Sequence, residues 1–128
     1  MVITGEFKMK QKEMIRNKLE KLIGQEVVVY VDRPLGSVHP KHRNIIYPVN
    51  YGYIKDIVAP DGDYQDAYLL GVNFPVISTK GKVYAIVERE DDIEDKLVVV
   101  VGEREYTTEE ISEQISFQEQ YFKSKIKR

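Results

Sequence analysis

The chain has 128 residues, the length of one domain, and it has no cysteine, so disulfides, thiolate metal sites and cysteine nucleophiles are excluded. The formal net charge is −2, but residues 1–24 carry six Lys or Arg against three Asp or Glu, so a basic segment precedes an acidic body. An acidic body argues against nucleic acid as the partner, because nucleic-acid binding draws on a basic surface.

Neither the apolar runs nor the N-terminus indicate a membrane or secreted protein. The longest apolar runs, 27–31 and 97–101, are strand-sized, whereas about 20 residues are needed to span a bilayer. The N-terminus lacks the apolar core of a secretory signal. We therefore expect a cytoplasmic protein without a membrane partner. We also expect one domain over residues 1–128, with residues 1–24 as an N-terminal helical extension.

The first predicted elements are a helix and a strand. Over residues 9–23, Ile15, Leu19 and Leu22 recur at helical spacing, and Gly24 follows as a helix stop. Residues 26–32 form a β-branched run that predicts a buried strand. The segment 34–44 is rich in Pro, Gly, Ser and His, and it predicts a loop.

Four further strands and a helix complete the predicted fold. The strands cover residues 47–58, 67–72, 82–88 and 96–101, with a turn at 59–63. Thr107 and Glu110 form a capping box, which begins a helix on which Ile111, Ile115, Phe122 and Ile126 lie near one face. This order predicts a mostly β fold: a small five-stranded barrel like the oligonucleotide-binding fold, with an N-terminal and a C-terminal α-helix packed outside.

Acidic residues cluster at two places. Asp61, Asp63 and Asp66 lie within six residues around Gly62. Oxygen ligands on a tight loop suit Mg²⁺, but Asp-Gly is also the commonest hairpin signal, so a solvated turn is the alternative. The second cluster, residues 88–95, holds six acids in eight positions. It is either a solvated connection or part of a metal site shared with the first cluster.

The third candidate is the loop from Ser37 to Arg43. Lys41 and Arg43 are residue types that bind phosphate, and His39 and His42 can donate hydrogen bonds or take up a proton. Two histidines three residues apart also allow zinc, but the sequence has no third histidine and no cysteine to complete such a site.

One stretch of sequence resembles the soluble (family I) inorganic pyrophosphatases. The run from Tyr47 to Ile54 reads YPVNYGYI, and Asp61-Gly62-Asp63 and Asp66 follow it. This order resembles the family's asparagine-tyrosine-glycine-tyrosine strand and its aspartate-glycine-aspartate loop. Residues 31–34, 95–99 and the C-terminal helix are similar to further family segments, so the resemblance covers roughly residues 26–123.

The resemblance implies a role for each matching residue. Asp61 and Asp66 would bind metal, and Asp63 would orient or deprotonate the attacking water. Tyr51 and Tyr121 would contact phosphate, and Lys96 would pair with it. Two further contributions to the metal site would come from the family's early acid, here Asp32, and from an acid of the 90–95 cluster, for which the candidates are Asp92, Glu94 and Asp95.

The sequence also departs from the family pattern. The chain is shorter than a typical bacterial member, and the hairpin that carries phosphate-binding basic residues is replaced by residues 36–44, where His39, Lys41 and Arg43 are the candidate substitutes. The family has two acids five residues apart, the second lying two residues before a lysine. Counting back from Lys96 gives Glu94 and then Arg89, so the acid pattern fits only with a deletion. Phe122 stands where the family has a lysine, and Lys123, one position late, is the candidate substitute for binding substrate.

Together these features predict Mg²⁺-dependent hydrolysis of inorganic pyrophosphate by a metal-activated water, with Mn²⁺ as a substitute. The expected partner is a small phosphate-bearing molecule, and the oligomeric state is left open, a homo-oligomer included. The alternatives are a hydrolase of another phosphoanhydride and a binding module for a phosphorylated metabolite. A barrel that binds oligonucleotides through its aromatic residues is a further alternative, which the acidic body opposes.

Overall fold

The computed structural model describes the backbone of residues 5–128, and it describes the side chains of all of these except residues 6–8. Residues 1–4 of the expected N-terminal extension lie outside this range. The elements, in chain order, are α1 (Gly5–Glu20), β1 (Glu26–Arg33), β2 (Asn50–Val58), β3 (Tyr64–Leu70), β4 (Ser78–Arg89), β5 (Lys96–Val100), α2 (Thr108–Glu119) and β6 (Ser124–Lys127).

Five of the strands form a closed mixed barrel, which confirms the predicted fold class. The strands lie in the order β1-β2-β3-β5-β4, and β1 closes the barrel by pairing with β4, where Glu26 lies opposite Lys82. These pairings are antiparallel except that of β3 with β5, which is parallel. The short strand β6 is added to β4 outside the barrel.

The alternation of side chains along the strands produces two hydrophobic clusters. One cluster takes residues from all five barrel strands, including Val29, Ile54 and Leu97, and it fills the barrel interior. The other lies on the outer surface under α2 and contains Tyr51, Tyr68, Val98, Ile111 and Ile115. Some outward-facing residues of β2, β3 and β5 therefore pack in this outer cluster, and others belong to the polar surface beside it.

Helix α1 covers one end of the barrel and is anchored by charge as well as by apolar packing. Leu19 is buried in the interior cluster. Arg16 donates to both carboxylate oxygens of Asp95, at 2.7 and 2.8 Å, and Lys12 donates to the carbonyl oxygens of Arg89 and Asp92. The helix thus holds the 90–95 connection between β4 and β5 in place. No helix in the described part of the chain is long and apolar enough to cross a bilayer.

The two helices differ from the sequence prediction at their ends. The first begins at Gly5, four residues early, and ends at Glu20, before a turn that reaches Gly24. The capping box of Thr107 and Glu110 is present at the start of α2. The expectation that Phe122 and Ile126 continue this helix is wrong. The helix stops at Glu119, and Ile126 lies in β6, where it pairs with Val87 of β4. Pairing with a free strand edge outweighs the helical spacing of these two residues.

Candidate functional site

The centre of the candidate site is a carboxylate held by a tyrosine and a lysine on the outside of the barrel. Ala67 of β3 pairs with Leu97 of β5, and both belong to the interior cluster, so their neighbours Asp66 and Lys96 face outward together. Lys96 Nζ donates to Asp66 Oδ2 at 2.9 Å, and Tyr51 Oη donates to the same oxygen at 3.0 Å. The structure therefore brings together three residues that the sequence analysis selected.

A pair of carboxyl groups, Asp61 and Glu94, lies next to this centre. A hydrogen bond between the two carboxyl groups shifts their pKa values in opposite directions. Burial, together with this hydrogen bond, raises the pKa of Glu94 to about 7, although the charge of Lys96 opposes the shift. The hydrogen bond with Glu94 lowers the pKa of Asp61. Lys96 Nζ also lies 3.4 Å from Glu94 Oε2 and so links the carboxyl pair to Asp66.

The carboxyl pair fits a divalent cation of the Mg²⁺ type. Glu94 Oε1 is buried and has no hydrogen-bond partner among the described residues. When Glu94 is ionised, this buried oxygen has no donor and faces a second carboxylate, which is costly. A cation between the two groups would remove that cost. Mg²⁺ commonly uses one or two carboxylates and keeps several waters. Among the side chains that the structure describes, those of residue 5 and residues 9–128, no group of three or more His, Asp and Glu is arranged to hold a metal ion. The fit is therefore to a site with two carboxylates and bound water.

A cavity of about 430 Å³ opens beside these residues. Its wall combines two nearly buried cationic side chains, Arg89 and Lys96, with aromatic and amide groups. The lining residues are His39, His42, Asn44, Ile45, Tyr51, Arg89, Lys96, Gln118, Tyr121 and Phe122. Burial raises the pKa of Tyr51 well above its ordinary value, so this phenol remains a hydrogen-bond donor. A concave site of this size with convergent donors suits a small anion.

Sequence reasoning did not select Arg89, which lines the cavity, or Glu119, the residue to which Arg89 is bonded. Arg89 Nε and Nη2 donate to the two oxygens of Glu119 at 3.1 and 2.6 Å, and Nη1 donates to Asp92 Oδ2 at 3.0 Å. The guanidinium also stacks on Phe122, with Cζ 3.6 Å from the ring centre. One indication of this contact was present in the sequence, because Arg89 and Phe122 both stand where the chain departs from the family pattern.

The remaining acids chosen from the sequence have other surroundings. Asp63 is exposed, and its backbone N–H donates to Asp61 Oδ1 at 2.9 Å. Asp32 lies on β1, where partial loss of hydration raises its pKa and the charge of Asp66 contributes. Asp92 is bonded to Arg89, and Asp95 is bonded to Arg16. The last two carboxylates are thus committed to cationic side chains of the protein, and their assignment to a metal stays a prediction.

The loop from Ser37 to Arg43, the histidine loop, reaches the cavity through His39 and His42. His39 Nδ1 accepts hydrogen bonds from the backbone N–H groups of Lys41 and His42, at 3.1 and 3.2 Å, so its proton is on Nε2. Burial, with the charge of His42, lowers the pKa of His39. Lys41 and Arg43 are exposed and do not line the cavity.

The two residues chosen at the end of the chain are also separated. Tyr121 lines the cavity, whereas Lys123 is exposed and lies 3.8 Å from Glu90. The phosphate-binding role of Lys123, like those of Lys41 and Arg43, stays a prediction.

Comparison with protein-family models and with curated protein sequences gives no match. Comparison with solved structures gives several similar folds. Inorganic pyrophosphatase from Ehrlichia chaffeensis superposes with a TM-score of 0.63 at 17% identity, over 82% of this chain and 86% of that one. The enzyme from Coxiella burnetii gives a TM-score of 0.59 at 17% identity, over 81% and 84%.

Inorganic pyrophosphatase from Neisseria gonorrhoeae gives a TM-score of 0.57 at 20% identity, over 77% of this chain and 74% of that one. At these identities the comparison establishes the architecture, and function has to be argued from the site. The chain has the fold of the soluble bacterial inorganic pyrophosphatases.

Proposed function

We propose that this protein is a Mg²⁺-dependent hydrolase of inorganic pyrophosphate, with Mn²⁺ as a substitute. The observation that carries the proposal is the buried, unpartnered Glu94 Oε1 in a carboxyl pair with Asp61. Lys96 connects this pair to Asp66 and to a cavity large enough for a small phosphate. Lys96 thus contacts the carboxyl pair proposed to bind metal and also lines the cavity proposed to bind phosphate.

In this proposal Asp61 and Glu94 hold the metal ion. Bound Mg²⁺ would supply a water of lowered pKa and would neutralise charge on the phosphates. Lys96 places its ammonium at the cavity wall, where it orients a phosphate by charge-assisted hydrogen bonding. Tyr51 donates to Asp66 and keeps that carboxylate turned toward Lys96. Asp63, which is exposed beside Asp61, orients or deprotonates the attacking water.

The test is phosphate release from pyrophosphate with and without Mg²⁺, in the parent and in an Asp63→Asn variant. Loss of a general base typically costs at least about 100-fold in rate. We expect this loss of turnover in Asp63→Asn, with Mg²⁺ binding and the folded state retained. Asp56→Asn, which alters an exposed carboxylate on β2, serves as the matched control and should retain activity.

Two results would contradict parts of the proposal. Full turnover in Asp63→Asn would keep the enzyme but remove this residue from the mechanism. If the parent binds pyrophosphate tightly but releases no phosphate from it under Mg²⁺ or Mn²⁺, the hydrolase assignment is wrong. The protein is then better described as a binding module for a phosphorylated metabolite.

A further inference from the structure

Two departures from the family pattern are in contact in this structure. By the resemblance, Phe122 stands at a lysine position, and Arg89 stands where the family's first acid is expected unless the chain has a deletion there. The Arg89 guanidinium stacks on the Phe122 ring, with Cζ 3.6 Å from the ring centre. Both residues line the cavity of about 430 Å³.

The surroundings of Arg89 fix its guanidinium at the cavity wall. Its side chain is 3% exposed, and Glu119 and Asp92 accept three of its five N–H bonds. One N–H on each of Nη1 and Nη2 is left without an acceptor among the described residues. The charge also reaches the neighbouring phenol, because Arg89 lowers the pKa of Tyr51 against the larger effect of burial.

Glu119 is itself held in place by a further hydrogen bond. Its carboxylate also accepts a hydrogen bond from Tyr68 Oη, which in turn accepts one from Gln118 Nε2. Gln118 lines the cavity, so the network that fixes Arg89 ends at the same wall. A guanidinium held in advance loses little conformational entropy when it binds an oxyanion, and its planar fork matches two phosphate oxygens.

We propose that Arg89 binds a phosphate group of the ligand directly in this cavity, with Glu119 and Phe122 as positioning residues. Arg89 and Lys96 then grip the anion from the ends of two neighbouring strands, β4 and β5. The inference rests on the proposed function for the identity of the ligand as a pyrophosphate-like anion. The sequence analysis expected phosphate to be bound by residues of the histidine loop. This inference assigns phosphate binding to Arg89, which lies outside that loop.

The probe is imidodiphosphate, a pyrophosphate analogue with a nitrogen bridge, and its binding in the presence of Mg²⁺ is measured by calorimetry on the whole chain. Removing Arg89 alone leaves Glu119 buried without its cation, so the informative variant is the pair Arg89→Met with Glu119→Gln. We expect the dissociation constant to rise by about tenfold or more, the scale of a charge-assisted hydrogen bond. Arg89→Lys should show an intermediate loss, since it keeps the charge but not the fork.

Arg104→Met is the matched control. Arg104 also pairs with a glutamate, Glu110, at 2.6 Å and stacks on a ring, that of Tyr106, but it is exposed and lies outside the cavity lining. Its affinity for imidodiphosphate should stay within about twofold of the parent. A folded Arg89→Met, Glu119→Gln protein that binds the probe as tightly as the parent would overturn the proposal, and so would a parent that does not bind the probe.

A third variant keeps the test valid if the double variant does not fold. Phe122→Leu removes the ring beside the guanidinium while leaving Arg89 and Glu119 in place, and it should weaken binding by about threefold or more. Unchanged affinity in Phe122→Leu would then count against the proposal. Turnover is measured separately. A parent that binds imidodiphosphate through Arg89 but does not hydrolyse pyrophosphate supports this inference while refuting the hydrolase.

Discussion

Asp61 and Glu94 show how two carboxyl groups in contact acquire different acidities. Glu94 is more withdrawn from water than Asp61, which is exposed, so the shared proton stays on Glu94. The pKa of Glu94 is raised to about 7 and that of Asp61 is lowered. Below a pH of about 7, the metal-free protein therefore holds a proton in the place where the proposed cation would bind.

This proton predicts a pH-dependent stability in metal-free solution. The folded state binds it more tightly than the unfolded chain, in which Glu94 has a pKa near 4.5. The free energy of unfolding should therefore fall as pH rises from about 4.5 to about 7, and the fall should be complete above the folded-state pKa. In Glu94→Gln this component should be missing from urea unfolding curves recorded at each pH.

The measured quantity is the difference between parent and variant, because Glu88, whose pKa burial also raises, adds a component of the same sign. Glu103→Gln, at an exposed carboxyl in the connection between β5 and α2, is the control and should reproduce the parent profile. Identical pH profiles for the parent and Glu94→Gln would mean that Glu94 ionises normally.

At the scale of elements, α1 and the 90–95 connection form one unit. The Arg16 guanidinium binds both oxygens of Asp95, whose side chain is 3% exposed, and Arg89 N–H donates to the same carboxylate at 3.0 Å. Asp95 thus positions the connection that carries Glu94. Removing Arg16 should therefore affect the candidate site although this residue lies outside it.

We expect Arg16→Ala to lower the free energy of unfolding by about 1–3 kcal/mol, because a nearly buried carboxylate loses its charged partner. Amide hydrogen exchange in residues 90–95 should become faster, which a uniform loss of stability would not single out. Lys18→Ala, at an exposed position of the same helix, is the control and should change stability by less than about 0.5 kcal/mol. Equal exchange in parent and Arg16→Ala would show that α1 does not anchor the connection.

Elements with a local signal were predictable from the sequence, and those that depend on distant pairing were not. The capping box at Thr107 correctly marked the start of α2, because both partners lie within four residues. No glycine marks the end of that helix, and the C-cap residue, Gln120, still has helical φ and ψ. The sequence therefore carried no sign that the helix ends there and that β6 follows. The short strand exists because it pairs with β4, a contact that local patterns do not report.

The same division applies to the candidate site. Tyr51, Asp66 and Lys96 were found through their sequence context, and the structure brings them together. The pairing of Arg89 with Glu119 joins residues 30 apart in sequence through the packing of α2 on the barrel, so no spacing rule could give it. Position 89 was visible only as a break in an expected acid pattern.

At the scale of the whole molecule, the wall of the barrel separates the apolar interior from the candidate site. The interior cluster is apolar and takes residues from all five strands, whereas Tyr51, Asp66 and Lys96 of the candidate site face outward from β2, β3 and β5. Substitution of an outer carboxylate therefore leaves the interior packing intact. Ligand effects on thermal stability can then be assigned to the site with little interference from the core.

The last prediction uses this separation to test the cation site. Mg²⁺ that binds the folded state but not the unfolded chain should raise the thermal midpoint, by an amount equivalent to roughly 2.7 kcal/mol at a hundred times its dissociation constant. The measurement is calorimetric unfolding at pH 8, where Glu94 is ionised, with millimolar MgCl₂ compared with NaCl of equal ionic strength. Asp61→Asn and Glu94→Gln should each lose most of the increase, and Asp56→Asn should keep it. If Mg²⁺ does not raise the parent midpoint, or raises it equally in Asp61→Asn and Glu94→Gln, these two carboxyls do not hold the cation, and the Asp61–Asp66 loop is a solvated turn.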